Sequence, residues 1–174
     1  TDCGPEIIAM NKIHGTSSHL SYNGNELKFF AGGEKHDNFV KLFDEISLRA
    51  QLIELYSVHQ LPIVIYGEAY GGKQQKMSET YGKELRFVAF DVKIGERWLD
   101  VPDAHKIVKL LGLDFVDYNR GPATISWVNS QRDLPCRQAK RNGILEDKVS
   151  EGVVLRPINE MMHRGSRVIA KHKR

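Results

Sequence analysis

The hydrophobic pattern divides the chain into short apolar runs separated by turn residues. Ile7 to Met10 is uninterrupted and predicts a buried strand. From Ser17 to Phe30 polar and apolar positions alternate weakly on either side of Asn23-Gly24, predicting a hairpin turning at that pair. Gly32-Gly33 ends it. Phe39, Leu42, Phe43, Ile46, Ala50 and Ile53 recur at three- and four-residue steps, predicting one long helix capped by Asp37 or Asn38 and reaching about Ser57. Pro62 marks the boundary, and Ile63 to Tyr66 reads as an interior strand that delivers Gly67-Glu68.

The stretch from Tyr70 to Tyr81 is rich in Gly and Lys, lacks periodicity and predicts a mobile loop. Leu85 to Val92 is a β-branched and aromatic strand, which Gly95-Glu96 turns into a second arm, Arg97 to Leu99. Pro102 opens a helix through Leu111 that Gly112 ends. Phe115 to Tyr118 reads as a short strand and Thr124 to Arg141 as mostly helical despite Pro135. Strands at Gly152 to Arg156, begun by Glu151, and at Val168 to Ala170 complete the pattern. Without repeats or linkers, it predicts one α+β domain over residues 1–174, with mixed, largely antiparallel sheets flanked by helices.

Composition adds limits. A chain of 174 residues that is 41% hydrophobic can bury a real core. The formal charge of +3 is compatible with a polyanionic partner, and positive charge gathers in the tail at Arg164, Arg167, Lys171, Lys173 and Arg174. Cys3 and Cys136 stand far apart without metal-ligand spacing, which argues against a disulfide framework or zinc site and for a reducing, cytoplasmic setting. No apolar run approaches the roughly 20 residues of a membrane span.

Candidate chemistry begins at Lys12-Ile13-His14-Gly15-Thr16, between two predicted strands. A lysine at such a junction is held rigidly yet faces a cleft, where it can serve as a nucleophile. Four further pieces follow in order: Tyr66-Gly67-Glu68, Phe87-Val88-Ala89-Phe90-Asp91, Glu151-Gly152-Val153-Val154-Leu155-Arg156-Pro157, and Lys171-His172-Lys173. In order and spacing the five resemble motifs I, III, IIIa, IV and V of the covalent nucleotidyltransferases, the superfamily of ATP-dependent ligases and mRNA capping enzymes. Lys-x-His-Gly-Thr is most similar to the RNA ligases of the phage and kinetoplastid-editing type. The likeness spans almost the whole chain.

This resemblance implies an ATP-grasp-like nucleotidyltransferase core. It also implies a three-step reaction: Lys12 takes AMP from ATP, AMP moves to a 5′-phosphate end, and a 3′-hydroxyl displaces it. Lys171 and Lys173, on one face of a strand, would favour the uncharged amine of Lys12 and offset phosphate charge. Glu68 would contact ribose hydroxyls or a metal, and Glu151 would hold Mg²⁺, or Mn²⁺ in its place. Phe90 would stack on adenine, with Asn11, Ile13 and Gly15 around the nucleotide and base selectivity left to backbone near Met10 and Asn11. His14 would assist a nucleic-acid step. The implied partners are RNA ends or a nicked duplex, handled by a monomer.

Each piece also has an ordinary reading: Phe90 as core, Glu68 and Glu151 as solvated strand ends, His14 as a satisfied structural histidine, the terminal lysines as a solvated tail. Asp91 would orient backbone, and Cys3, Cys136, Trp98 and Trp127 would be structural. Asn11 stands where family members often carry Glu. Lys35 stands near the place of an Arg that touches ribose or phosphate, without the guanidinium fork. The further C-terminal domain common in family ligases falls outside this sequence. The competing functions are a DNA ligase core, a GTP-using capping enzyme, or a non-catalytic nucleic-acid-binding module.

Overall fold

The run at Ile7 to Met10 forms the central strand β1 (Glu6–Asn11) in the computed structural model, which describes residues 4–174. Cys3, expected to be structural, lies outside the described residues. β1 pairs antiparallel with β7 (Tyr118–Pro122) on one side and β8 (Gly152–Pro157) on the other. β11 (Ala170–Lys173) pairs with the far edge of β8 and completes a four-stranded sheet. With strands on both flanks, Ile8, Ala9 and Met10 are buried, which an uninterrupted apolar run requires.

The chain then passes straight into a second antiparallel sheet. Its strands are β2 (Thr16–Tyr22), β3 (Leu27–Phe30), β4 (Ile63–Gly71), β5 (Leu85–Ile94) and β6 (Arg97–Trp98), in the order β3-β2-β4-β5-β6. Gly15 is needed at the crossing because of crowding, not because of an unusual backbone angle. A Cβ there would meet the Ala69 carbonyl oxygen at 2.1 Å. The expected hairpin turn at Asn23 is made by its side chain, which accepts hydrogen bonds from the amides of Asn25 and Glu26. A small hairpin, β9 (Met162–His163) and β10 (Ser166–Arg167), precedes β11.

The helix expected from Asp37 to Ser57 is two helices, α1 (His36–Val40) and α2 (Glu45–His59). The first ends at Val40 and Asp44 caps the second, its carboxylate accepting from the Ser47 amide. The restart resets the buried stripe: α2 turns Leu48, Leu52 and Leu55 inward, while Ile46 is 87% and Ile53 50% exposed. Burying each leucine is worth about 1.5–3 kcal/mol, so the register with three of them inward prevails.

Elsewhere the differences are smaller. Residues 70–81 extend β4 and then fold into a 3₁₀ turn (Gln74–Lys76) and α3 (Ser78–Tyr81), with Tyr70 and Tyr81 buried edge to face. The helix opened by Pro102 is α4 (Val101–Leu110) and packs on β5. Phe115 makes only a parallel bridge to Ala89, and the strand starts at Tyr118. The stretch from Thr124 to Arg141 breaks around Pro135 into α5 (Ile125–Arg132) and α6 (Arg137–Arg141). The fold is α+β: two antiparallel sheets, with helices outside them. Among the described residues no helix is long and apolar enough to cross a membrane.

Candidate functional site: a cavity between the two sheets

Where β1 hands over to β2, a cavity of about 360 Å³ opens between the sheets. Lys12 and Met10 contribute from β1 and its end, Val154 from β8, Lys171 from β11, and Glu68 and Phe90 from β4 and β5. Strand register explains the gathering. Met10 is opposite Val154, which is opposite Lys171, and directly paired residues share a sheet face. One row along, the Lys12 amide donates to the Gly152 carbonyl at 3.0 Å, and Gly152 pairs with Lys173. Gly152 has φ +133°, and a Cβ there would meet the His172 carbonyl oxygen at 2.3 Å. Only glycine fits between these two lysine-bearing strands.

The Lys12 amine, 16% exposed, donates to Glu151 Oε1 at 3.0 Å. Glu151 Oε2 is buried and accepts no hydrogen bond, although His14 Nδ1 lies 3.5 Å away. The His14 amide donates to the Tyr81 hydroxyl at 3.0 Å, tying the loop after Lys12 to α3. Glu68 Oε2 accepts from the Gly15 amide at 3.1 Å. Burial pushes the Glu68 carboxyl above the usual carboxylate range, opposed by that hydrogen bond and by the charge of Lys12. Glu68 thus faces the cavity beside the lysine, while Glu151, with its orphaned oxygen, sits against the Lys12 amine.

Behind Phe90 stands an ion-pair cluster. Arg156, 2% exposed, donates from Nη1 to the Phe90 carbonyl at 2.8 Å and from Nη2 to Asp91 Oδ1 at 3.2 Å and to Glu160. Arg167 donates to Asp91 Oδ2 at 2.6 Å and to Glu160 Oε1 at 2.8 Å, and its guanidinium stacks over Trp98 at 3.9 Å. Asp91 and Arg156 also line the cavity. Arg156 thereby bridges the Phe90 carbonyl and the Asp91 carboxylate.

The model of the RNA ligase family matches residues 5–173 of the chain. The chain belongs to that family. No curated protein matches it. Among solved structures, an RNA ligase of Naegleria gruberi with PPi is similar with a TM-score of 0.66 at 17% identity, over 98% of this chain and 50% of that one. A lysine-to-alanine mutant of that ligase with ATP and Mn gives a TM-score of 0.67 at 16% identity, with the same coverage. An archaeal ATP-dependent RNA ligase gives 0.65 at 20% identity, over 97% of this chain and 42% of that one. The chain spans about half the length of these ligases, and at such identities they show a shared fold.

Within this RNA ligase fold the expected residues are not all gathered. Lys12, Ile13, Glu68, Phe90 and Lys171 line the cavity, with Glu151 against the Lys12 amine. Asn11 lines it too, but its side chain is turned into the protein. Its Nδ2 donates to Ser150 Oγ at 3.0 Å, and its Oδ1 accepts from the Gln138 amide at 3.3 Å. Lys173 is exposed, outside the cavity wall although on its face. Lys35 sits in a different hollow, carried away by the turn in which the Glu34 amide donates to the Ala31 carbonyl. Arg156 and Arg167 went unread as site residues. Period-two alternation from Gly152 through Val154 aims Arg156 at the cavity, whereas Tyr81 carries no local signal.

Glu68 yields a pH prediction. Its folded-state pKa is raised, so its charged form costs stability that appears as pH rises through the carboxylate range. Glu68→Gln keeps an acceptor for the Gly15 amide and removes the buried charge. Thermal melts should show the variant more stable than the parent at neutral pH and equal to it in acid; a difference independent of pH would remove the buried-charge account.

Proposed function

We propose that this chain is the nucleotidyl-transferring core of an ATP-dependent RNA ligase. Lys12 Nζ attacks the α-phosphorus of ATP; an N–P bond forms, the bond to the bridging oxygen breaks, and pyrophosphate leaves. AMP then passes to the 5′-phosphate of an RNA end, and a 3′-hydroxyl displaces it to join the strands. The observation that carries this reading is one cavity presenting the Lys12 amine, the Lys171 cation, the Glu68 carboxylate and the Phe90 ring, with the Glu151 carboxylate against the amine. The relatives solved with ATP and Mn agree with it.

Attack needs the lone pair of an uncharged amine, so Nζ must give up a proton; its contact with Glu151 Oε1 uses an N–H and leaves that lone pair free. Lys171, which lines the cavity, puts positive charge where negative charge gathers on the phosphate. Phe90 offers an apolar face to the base, held by Arg156 behind it. Among the described residues no three His, Cys, Asp or Glu side chains form a metal cage. That suits Mg²⁺ or Mn²⁺, which one or two carboxylates and substrate phosphates commonly hold. Glu151 Oε2, buried without a hydrogen bond, and Glu68, whose charge burial disfavours, are the residues that would hold it. Bound there, the cation neutralises phosphate charge. On this reading the protein works as an intracellular monomer.

Intact-mass spectrometry after incubation with ATP and Mg²⁺ tests the proposal. One added AMP, mapped to the peptide bearing Lys12, is expected; addition of GMP from GTP instead would overturn it. Glu151→Gln should slow adduct formation about a hundredfold while moving the melting temperature little, as for loss of one charge-stabilising group. A large thermal loss with an unchanged adduct rate would make Glu151 purely structural.

A further inference from the structure

A row of rings crosses the face of the second sheet that bears Glu68, and no step at Lys12 uses it. On β2 and β4, Ser17 pairs with Glu68 and, two residues along each strand, His19 pairs with Tyr66. Alternation puts all four side chains on one face, with the His19–Tyr66 row about 7 Å from the Glu68 row. His19 also pairs with Phe30 on β3, the two rings stacked at 4.3 Å and 18°. Tyr66 lies 5.2 Å from His19 on one side and 5.1 Å from Trp98 on the other. Cations close the Trp98 end: Arg167 at 3.9 Å and Lys93 at 5.1 Å from its ring.

The Phe30 end is open. Its ring is 43% exposed and bounds a hollow of about 560 Å³ together with His19 and His36. Ser17 lines both this hollow and the nucleophile's cavity. Glu34 lines both this hollow and a third one, of about 600 Å³, walled by Lys35, Lys41, Lys73 and Lys83, which outnumber its two carboxylates, Glu34 and Glu84. Burial holds the His19 imidazole below its ordinary range, so it stacks as a neutral ring at pH 7. Cross-strand ring pairs also stiffen a sheet, which accounts for Tyr66 and Trp98. It does not account for a terminal ring left open between a nucleotide-sized cavity and a wall of lysines.

We propose that the Phe30–His19 end of this row seats unpaired bases of the RNA strand whose end is presented to Lys12, with the lysine-walled hollow holding its phosphates. Stacked rings flanked by cations suit single strands, because every base has a face to stack and every linkage a charge to neutralise. The inference rests on the ligase reading for the identity of the strand, but its binding step needs no ATP and is tested apart from it.

The test is fluorescence anisotropy of a labelled single-stranded oligoribonucleotide with the 174-residue chain, without ATP. Phe30→Ala should bind about tenfold more weakly, the range for losing one stacked base. An all-abasic strand of equal length should bind the parent about as weakly, and Phe30→Ala should lose nothing further on it. Lys73→Ala with Lys83→Ala should lower the salt dependence by about 0.7 in log–log slope per lost phosphate contact. Equal affinity of parent and Phe30→Ala for the intact strand would overturn the proposal, as would tighter binding of a fully paired duplex. Should Phe30→Ala fail to fold, the parent decides alone: no loss on the abasic strand overturns it. Base-dependent binding without any AMP adduct would sink the ligase reading and leave the base seat standing.

Discussion

Lys12→Arg is expected to form no AMP adduct at all while melting close to the parent. Arginine preserves the positive charge and the contact with Glu151, but its guanidinium lone pairs are delocalised and do not attack phosphorus. Lys12→Met should lose the adduct equally and lose stability as well. It keeps the apolar stem of a side chain only 16% exposed, yet leaves Glu151 Oε1 without the donor now 3.0 Å away. An unpaired buried acceptor costs about 1–3 kcal/mol. At roughly 2–4 °C per kcal/mol for a domain of this size, the methionine variant should melt several degrees lower. The ion pair with Glu151 ties Lys12 to the fold as well as to the cavity, and the two variants separate chemistry from stability. Mass spectrometry and thermal melts read both. A persistent adduct on the arginine variant would move the nucleophile elsewhere.

What was legible in the chain was whatever local periodicity controls. Ile7 to Met10 is apolar on both faces because β1 is flanked on both edges and covered, and Gly152 to Arg156 reads as a strand for the same reason. The Lys12 junction was legible because a glycine four residues after the strand end marks a crossing. Its cause, the Ala69 carbonyl at 2.1 Å from a Cβ at Gly15, was not, since Ala69 belongs to another part of the chain. The stripe through Phe39, Ile46 and Ile53 failed because one side-chain cap at Asp44 outweighs the continuity of a pattern. The tail was legible only as gathered positive charge; that β10 folds Arg167 back onto Asp91, Glu160 and Trp98 was not. Asn11 lines the cavity as expected, but that its side chain reaches Ser150 and Gln138, more than a hundred positions away, was not legible. Contacts of that separation leave no trace in spacing.

Arg156→Met should be the most destabilising single change near the site. Arg156 is 2% exposed and serves Asp91, Glu160 and the Phe90 carbonyl together. Removing one partner of a buried ion pair costs about 3–5 kcal/mol, because the remaining charges are left poorly compensated. That corresponds to a fall of about 10 °C or more in melting temperature. Arg167 still reaches both carboxylates, which keeps the loss from being larger. The effect has a pH signature. Burial would raise the Glu160 carboxyl, but hydrogen bonds from Arg167 and Arg156 hold it below the usual range. A depressed folded-state pKa contributes stability above the unfolded value, about 4.3 for Glu, and loses it as pH falls through the folded value. Acid should therefore erode the parent more than Arg156→Met, and melting curves of the two should converge as pH drops below about 4. Because Arg156 also holds the Phe90 carbonyl, AMP-adduct formation should weaken at neutral pH even at temperatures where the variant is folded. A gap between the two melting temperatures that stays constant from pH 7 into acid would mean that packing around Arg156, and not its charge, is what the cluster depends on.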